Sequence, residues 1–261
     1  MRNMEDTGYV YGRRSVAETL RSSPDRVNKL FIAEGAHGPA IDEIRELAKR
    51  HRVVTKFLPK QAIGKYAPEA VHQGVVASVT PVDYADADDV IQSSKGGKPA
   101  LILVLDGITD PQNFGAILRT AEAAGVGGVI IPRHRSVALT SVVAKHSAGA
   151  VEYVPVARVV NIAMTIDNLK EKDIRTVGTS DDAERTIYEI DFALPTAILV
   201  GSEGEGLRPL VRSKCDEIAR IPMLGRISSL NASVAAAVVL YEAVRQRTGG
   251  SPTRSMSANP P

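Results

Sequence analysis

Hydrophobic residues along this chain follow two spacings, one typical of β-strands and one typical of α-helices. The continuous apolar run at 101–105 has the length of a strand that is buried on both faces. Similar runs predict further strands at 128–131, 151–154, 174–178, 196–200 and 217–221. Apolar residues three and four positions apart predict helices near 114–124, in a short segment before 151, over 159–171, near 207–214 and over 231–247. This alternation implies a parallel sheet with helices on both faces.

The first 80 residues show the same alternation on a smaller scale. Helical spacing around Val16 and Leu20 precedes a strand at 29–32. The next helix places Ile41, Ile44, Leu47 and Ala48 on one face, and strands near 53–54 and over 75–79 follow. The pattern predicts an N-terminal α/β unit at 1–82, an acidic and then flexible linker at 83–99, a larger α/β unit at 100–247 and a disordered tail at 248–261.

The composition narrows the class of protein. Hydrophobic residues make up 44% of the chain, but aromatic residues only 4%, so the core must be aliphatic and rich in alanine. A single cysteine, Cys215, excludes an internal disulfide framework. No apolar run is long enough to cross a membrane, and the first residues lack an apolar signal segment. We therefore expect a cytoplasmic protein without a membrane partner.

Charge is distributed unevenly along the chain. The formal net charge is only +2, but residues 1–82 hold 13 Lys and Arg against 9 Asp and Glu. A basic N-terminal unit is compatible with a nucleic-acid partner, although many domains carry this much charge for solubility alone.

The first candidate site follows the strand at 101–105. A loop and the start of a helix occupy 106–120, at the carboxyl end of a buried strand, where α/β folds bind ligands. Arg119 lies among small residues, where its guanidinium could hold a phosphate. A purely structural alternative remains open, in which Asn113 caps the helix and Arg119 pairs with Glu122 one turn later.

Two further segments combine glycine or serine with the ends of predicted strands. The segment 197–207 is rich in glycine, but it lacks the Gly-Lys-Ser/Thr of a phosphate-binding loop, and Glu203 interrupts the spacing of a dinucleotide fingerprint. The segment 221–233 carries Ser228, Ser229, Asn231 and Ser233 into a helix that is apolar on every side and should be buried. Such polar groups need partners, which a bound ligand supplies. An ordinary turn is the alternative for 201–206, but two such loops at neighbouring strand ends predict one shared pocket.

The sequence does not indicate a metal site or a cysteine nucleophile. The five histidines lack the spacing of metal ligands, and with one cysteine a zinc site is not expected. We expect Cys215 to be a packed or surface thiol rather than a nucleophile.

Taken together and in this order, the three segments resemble the SpoU (TrmH) family of RNA ribose 2′-O-methyltransferases. The matching residues are Asn113 and Arg119 in the first segment, 201–204 in the second and 228–233 in the third. The N-terminal unit is similar to the substrate-binding domain of that family through residues 11–18 and 72–75. The resemblance extends over almost all of 8–247.

The resemblance implies a fold, a cofactor and a set of site residues. The larger unit would contain a deep C-terminal trefoil knot, and S-adenosylmethionine would bind in it near Thr179, Gly201, Ile221 and Leu230. Arg119 would be essential for methyl transfer, and family proposals make it the proton acceptor, although arginine is a poor base. Asn113, Glu203, Ser229 and Asn231 would orient Arg119, the loops and the cofactor. Family members form homodimers through the knot domain.

The resemblance also narrows the substrate. The N-terminal unit resembles that of enzymes which methylate a guanosine ribose in 23S ribosomal RNA. Relatives with this layout act on other ribosomal RNA nucleotides, including antibiotic-resistance enzymes, and others modify transfer RNA. A non-catalytic RNA-binding protein is an alternative that intact Arg119, Glu203 and Asn231 disfavour. The missing glycine fingerprint disfavours a nucleotide-dependent oxidoreductase.

Overall fold

The structure is a computed structural model that describes residues 8–66, 72–80, 82–93, 99–226 and 229–249. The strands are β1 (Gly8–Tyr11), β2 (Val27–Ala33), β3 (Thr55–Leu58), β4 (Val75–Val79), β5 (Leu101–Asp106), β6 (Gly128–Pro132), β7 (Val156–Val159), β8 (Arg175–Thr179), β9 (Arg185–Thr186), β10 (Thr196–Gly201) and β11 (Glu217–Arg220). The helices are α1 (Arg13–Ser22), α2 (Pro39–Arg50), α3 (Lys60–Ile63), α4 (Ala87–Ser93), α5 (Pro111–Ala123), α6 (Ser141–His146), α7 (Ile162–Glu171), α8 (Pro209–Lys214) and α9 (Ala232–Arg247).

The larger sheet has seven parallel strands in the order β7-β6-β5-β10-β8-β11-β9. The interior strand β5 shows why helices cover both faces of this sheet. Leu101, Leu103 and Leu105 of β5 pack into one apolar cluster with α5 and α9, while Ile102 and Val104 pack into another with α4, α7 and α8. Side chains alternate between the two faces of a strand, so a continuous apolar run needs cover on both. The prediction of a parallel α/β sheet is confirmed.

One predicted strand is wrong. Residues 151–154 were expected to form a strand, but Ala150–Glu152 is a 3₁₀-helix, and the strand is β7, which begins at Val156. Val151 and Val154 are three residues apart and both buried, which suits a 3₁₀ turn as well as an apolar run. Because β7 extends to Val159, the next helix begins only at Ile162, where the side chain of Asn161 caps it.

Part of the predicted linker at 83–99 forms a helix. Residues 87–93 form α4, and the side chains of Val90 and Ile91 are buried against the larger sheet. The acidic residues Asp88 and Asp89 lie in the first turn, where the helix dipole favours negative charge. The segment therefore packs as part of the larger unit. Residues 94–98 and the predicted tail after 249 lie outside the described residues.

The smaller sheet has the strand order β1-β4-β2-β3, with only the β2–β3 pair parallel. The strand expected at 53–54 begins instead at Thr55, while β4 spans the predicted 75–79. The two units meet at the 3₁₀-helix after α6. The carboxylate of Glu152, whose side chain is 2% exposed, pairs with Arg26 and accepts a hydrogen bond from the Thr19 hydroxyl at 3.3 Å.

The last helix, α9, is not buried on every side, contrary to the sequence prediction. Ala236, Val239, Leu240 and Ala243 face the core, whereas Val234 and Tyr241 are 46% and 52% exposed. The even distribution of apolar residues around this helix thus leaves an apolar face uncovered in the single chain. Among the helices of the described residues, none is long and apolar enough to cross a membrane.

Candidate functional site

The three candidate segments meet at one edge of the larger sheet. Gly201, the last residue of β10, pairs with Asp106 at the end of β5. On its other side β10 pairs with β8, and Thr179 at the end of β8 pairs with Ala219 of β11. Because these strands are parallel, the loops that follow all leave from the carboxyl edge, where α/β sheets bind ligands.

One side chain from each segment enters a shared hydrogen-bond cluster. The Asn231 amide nitrogen Nδ2 donates to Asn113 Oδ1 at 2.9 Å and to Glu203 Oε1 at 2.6 Å. Glu203 Oε1 also accepts hydrogen bonds from Asn113 Nδ2 at 3.2 Å and from the backbone nitrogen of Ala232 at 3.1 Å. We name Asn113, Glu203 and Asn231 the polar cluster. The structure brings together three predicted residues that are far apart in the chain.

Each member of the polar cluster is held by its own backbone element. Asn231 Oδ1 caps α9 by accepting hydrogen bonds from the backbone nitrogens of Ser233 and Val234, and from the Ser233 hydroxyl. The cap of α5 is Asp110, whose carboxylate accepts from the Asn113 backbone nitrogen at 2.8 Å. The alternative in which Asn113 only caps the helix is therefore wrong, because Asp110 takes that role and frees the Asn113 amide.

A pocket of about 390 Å³ lies beside the polar cluster. Small-molecule sites in proteins commonly have volumes of about 300–1,000 Å³. The pocket is lined by all four residues predicted to bind a cofactor, which are Thr179, Gly201, Ile221 and Leu230. Glu203 and Ser229 also line it, whereas Ser228 lies outside the described residues. The segments predicted to share one pocket do so.

The glycine-rich loop is closed by its own backbone. Ser202 and Gly206 exchange two hydrogen bonds, of 3.1 and 3.0 Å, so the residues between them form a tight turn. A Cβ atom on Gly201 would lie 2.0 Å from the carbonyl carbon of Gly206 and 2.3 Å from the nitrogen of Leu207. Glycine is therefore required at 201 because the loop folds back over it. Close approach of a ligand was the expected reason.

Sequence reasoning missed a buried acid that supports this loop. The Asp106 side chain is 1% exposed and accepts hydrogen bonds from the backbone nitrogen of Arg208 at 3.0 Å and from Arg208 Nε at 2.8 Å. The available signal was an acidic residue that ends a continuous apolar run, since a buried carboxylate needs partners.

A second ion pair borders the pocket after β8. Arg212 on α8 donates to the Ser180 hydroxyl at 3.2 Å and to Asp182 Oδ2 at 2.9 Å. Its hydrogen bond with the Asp182 carboxyl lowers the pKa of that carboxyl and raises the pKa of the Arg212 guanidinium. Both groups therefore stay charged at neutral pH.

Arg119 is the predicted residue that the structure does not bring into the cluster. It lies six residues after Asn113 on α5, about 9 Å farther along the helix axis and about a third of a turn around it. Its side chain is exposed and does not line the pocket. Within the described residues it forms no ion pair, so the predicted alternative pair with Glu122 is not formed.

Cys215 packs against the apolar cluster formed with α7 and α8. Burial raises the pKa of its thiol to about 12, so the nucleophilic thiolate is disfavoured near neutral pH. Among the described residues, no three histidine, cysteine or acidic side chains are grouped to hold a metal ion.

The motif residues of the N-terminal unit also meet in space. The Arg13 backbone nitrogen donates to Gln73 Oε1 at 3.0 Å, and Arg13 Nε donates to the Gln73 carbonyl at 3.2 Å. Together with His72 and Lys60, these two residues line a cavity of about 710 Å³ between the start of α1 and the start of β4.

Two family models match this chain. The SpoU rRNA Methylase family matches residues 100–241, and the model described as RNA 2'-O ribose methyltransferase substrate binding matches residues 9–85. The matches cover the two units seen in the structure.

Relatives that match over most of their length include two curated proteins and a crystal structure. The 23S rRNA (guanosine-2'-O-)-methyltransferase RlmB of Pseudomonas aeruginosa is 43% identical over 242 residues, covering 92% of this chain and 96% of that protein. A Staphylococcus haemolyticus protein, named for the TrmH family of tRNA/rRNA methyltransferases, is 45% identical over 245 residues, with coverage of 94% and 97%. The SpoU methyltransferase AviRb from Streptomyces viridochromogenes, in complex with the cofactor AdoMet, superposes with a TM-score of 0.79 at 27% identity, covering 94% of this chain and 91% of that one.

Proposed function

Since the chain belongs to the SpoU family of S-adenosylmethionine-dependent RNA 2′-O-methyltransferases, we propose that its substrate is a guanosine ribose of 23S ribosomal RNA. The RlmB relative, which carries that activity in its name, matches 92% of this chain, so the match includes the N-terminal unit. The matched substrate-binding model over 9–85 supports a role for that unit in recognising the RNA.

The pocket at the carboxyl edge fits the cofactor of the family in size and in chemistry. It is lined by residues of the loops after β10 and β11 and by Thr179, whose hydroxyl donates to the Leu199 carbonyl at 3.1 Å. We propose that Thr179, Gly201, Ile221 and Leu230 hold S-adenosylmethionine, which supplies a methyl group on a positively charged sulfur. The trefoil knot that the family resemblance implies at this site stays a prediction.

The polar cluster carries the proposal for the reaction centre. Asn113, Glu203 and Asn231 connect the starts of α5 and α9 with the glycine-rich loop through short hydrogen bonds. Such a cluster fixes the loop that borders the pocket and the helix that carries Arg119, and positioning of this kind supplies much of the barrier reduction in a transfer reaction. We propose that these three residues and Ser229 position the ribose and the loops.

Arg119 is proposed to act on the RNA side of the reaction. The ribose 2′-oxygen gains negative charge as its proton leaves, and a fixed guanidinium stabilises such charge without accepting the proton itself. Arg119 is exposed and forms no ion pair with the residues that the structure describes, so its guanidinium is available for this contact.

A homodimer is part of the same proposal. On α9, Val234, Val238 and Tyr241 lie on one face at helical spacing, and two of them are about half exposed. A second copy of the chain that covered this face would pack beside α5 and the polar cluster. The site would then be shared between two subunits.

The experiment that tests the substrate measures methyl transfer directly. Full-length protein is incubated with tritium-labelled S-adenosylmethionine and unmodified 23S RNA, 16S RNA or transfer RNA, and the modified nucleotide is then mapped. Label on the 2′-oxygen of one 23S guanosine supports the proposal, and label confined to transfer RNA contradicts it. Cofactor binding without transfer to any of these RNAs would favour the non-catalytic alternative.

A further inference from the structure

A loop outside the polar cluster and its pocket presents positive charge at the same edge of the larger sheet. Arg133, His134 and Arg135 follow β6 directly, and all three side chains are exposed. We name residues 133–137 the basic loop. The neighbouring strand β7 adds Arg158, whose guanidinium donates to the Arg133 carbonyl at 2.7 Å.

The basic loop is held rigidly. The Arg133 backbone nitrogen donates to the Val159 carbonyl at 2.7 Å, and the Ser136 hydroxyl donates to the Pro132 carbonyl. Arg135 adopts a φ of 59°, a left-handed conformation that a non-glycine residue keeps only where its surroundings impose it. These contacts fix the backbone positions from which Arg133 and Arg135 extend into solvent.

The same loop is joined to the polar cluster through the segment after β5. The backbone nitrogen of Val137 donates to the Ile108 carbonyl at 3.1 Å. Two residues after Ile108, Asp110 caps the helix on which Asn113 lies. The basic loop thus lies next to the loop that begins the proposed reaction centre.

Many cations of the larger unit are neutralised by carboxylates. Within the described residues, five of its arginines form ion pairs with carboxylates: Arg175, Arg185, Arg208, Arg212 and Arg245. Among the described residues, no carboxylate pairs with Arg133, Arg135 or Arg158. Arg158 lies over the Tyr84 ring at 4.8 Å, and its buried Nε has no hydrogen-bond partner in the part of the chain that the structure describes. Its charge therefore adds to that of the loop.

We propose that the basic loop binds the sugar-phosphate backbone of the substrate RNA beside the target ribose. Arginines without carboxylate partners among the described residues, on a fixed loop backbone next to a site for RNA chemistry, match the charge and the oxygen acceptors of phosphodiesters. The inference rests on the proposed function, because it assigns a contact to the RNA that the reaction centre methylates. Backbone contacts of this kind set register and affinity, and they carry no sequence information.

The test is RNA binding by the full-length double variant Arg133→Ala, Arg135→Asn, with 23S RNA as the probe over a range of potassium chloride concentrations. Asparagine is chosen at 135 because it tolerates the left-handed conformation. Each lost phosphate contact reduces, by about 0.7–0.9, the magnitude of the slope in a plot of the logarithm of the binding constant against the logarithm of salt concentration. If two contacts are lost, we expect the magnitude of this slope to decrease by about 1.4–1.8 and the affinity for RNA to fall about ten-fold or more. Affinity for S-adenosylmethionine should be unchanged.

The control for net charge is Lys170→Ala, Lys172→Ala, which removes two positive charges from the opposite edge of the sheet, just before β8. These two lysines differ from the basic loop in being paired, with Asp216 and Asp88 respectively. An equal loss of affinity and salt dependence in this control would overturn the proposal, because net charge would then explain both. Arg135→Lys should keep most of the salt dependence. Loss of binding to ribosomal particles with unchanged binding to naked RNA would also overturn it and indicate an acidic protein surface. The double variant could bind RNA more weakly while the unaltered protein methylates no RNA. That result would refute the proposed function but would still support the contact between the basic loop and RNA.

Discussion

The buried carboxylate of Asp106 is hydrogen-bonded to both the backbone and the guanidinium of Arg208, 102 residues later in the chain. Asp106 ends the interior strand β5, and Arg208 directly precedes α8. The pair therefore holds the residue that follows the glycine-rich loop against the end of β5. A single buried acid connects the stability of the sheet with the shape of the cofactor pocket.

Replacing Asp106 with Ala should destabilise the protein. The change leaves the Arg208 backbone nitrogen without its acceptor and the guanidinium without its partner, and since Arg208 is 45% exposed, water replaces part of what is lost. We expect unfolding to require about 2 kcal/mol less free energy, together with weaker S-adenosylmethionine binding. Urea unfolding and calorimetry measure the two effects. Asp106→Asn keeps one acceptor oxygen and should lose less, and equal losses would argue against the hydrogen bonds as the cause.

Replacing Gly201 with Ala should open the glycine-rich loop. The new Cβ would collide with backbone atoms of Gly206 and Leu207, which cannot move without breaking the Ser202–Gly206 hydrogen bonds. Forcing an atom into such a packed position costs about 1–3 kcal/mol, and we expect cofactor affinity to fall about ten-fold or more. Gly225→Ala is the matched control, because a Cβ there meets no atom within 4 Å. If Gly201→Ala bound the cofactor as tightly as this control, the loop would not shape the pocket.

Replacing Glu203 with Ala should slow methyl transfer by breaking the polar cluster. Three hydrogen bonds to Glu203 Oε1 are lost, and Asn113 and Asn231 then lack a common acceptor. Because small displacements of positioning groups cost about 100-fold in rate, we expect a loss of that order in kcat. Glu203→Gln keeps an acceptor oxygen and should recover much of the rate. Glu205→Ala removes the same charge from a neighbouring exposed residue, so a comparable loss there would indicate an effect of charge rather than of the cluster.

Replacing Arg119 with Ala should abolish most methyl transfer without affecting the fold. The side chain is exposed and unpaired within the described structure, so stability and cofactor affinity should be unchanged. A group that acts in the transition state is worth about 100-fold or more in rate. Arg119→Lys should recover little, since an ammonium does not reproduce a planar guanidinium. Single-turnover methylation at saturating RNA measures the effect, with Glu122→Ala as the control. If Arg119→Ala methylated RNA at a rate near that of the unaltered protein, Arg119 would be a surface residue with no part in methyl transfer.

The buried thiol of Cys215 should make stability depend on pH above neutrality. Burial raises its pKa from 9.0 to about 12, so the folded protein keeps a proton that the unfolded chain releases. The contribution to stability is therefore complete below about pH 9 and decreases as the pH rises toward 12. The free energy of unfolding should fall more steeply between pH 9 and 11 in the unaltered protein than in Cys215→Ala. Parallel pH profiles would show that this thiol does not titrate differently on unfolding.

Much of the larger sheet could be predicted from sequence because its signals are local. Every side chain in the run 101–105 is apolar, so both faces of this strand must be covered by other elements. This conclusion does not depend on which elements cover them. The resemblance to the SpoU family, rather than any local pattern, assigned Thr179, Gly201, Ile221 and Leu230 to one site, and all four line one pocket. Strand geometry alone predicted only that the loops after neighbouring strands share an edge of the sheet.

Local signals failed where two structures satisfy the same pattern. A 3₁₀ turn buries both Val151 and Val154. The segment 87–93 forms a helix because Val90 and Ile91 pack against the larger sheet. Apolar spacing alone does not separate these outcomes, because the deciding contacts come from residues distant in the chain.

The sequence by itself determined the parallel sheet, the glycine-rich loop and the residue types of the candidate site. Only the tertiary structure decided that Asn113, Glu203 and Asn231 share hydrogen bonds, that Asp106 holds Arg208, and that Arg119 remains apart. Backbone periodicity is set by residues a few positions apart, whereas these contacts join side chains that meet only after the sheet has formed, and their partners are selected by geometry that no local pattern contains.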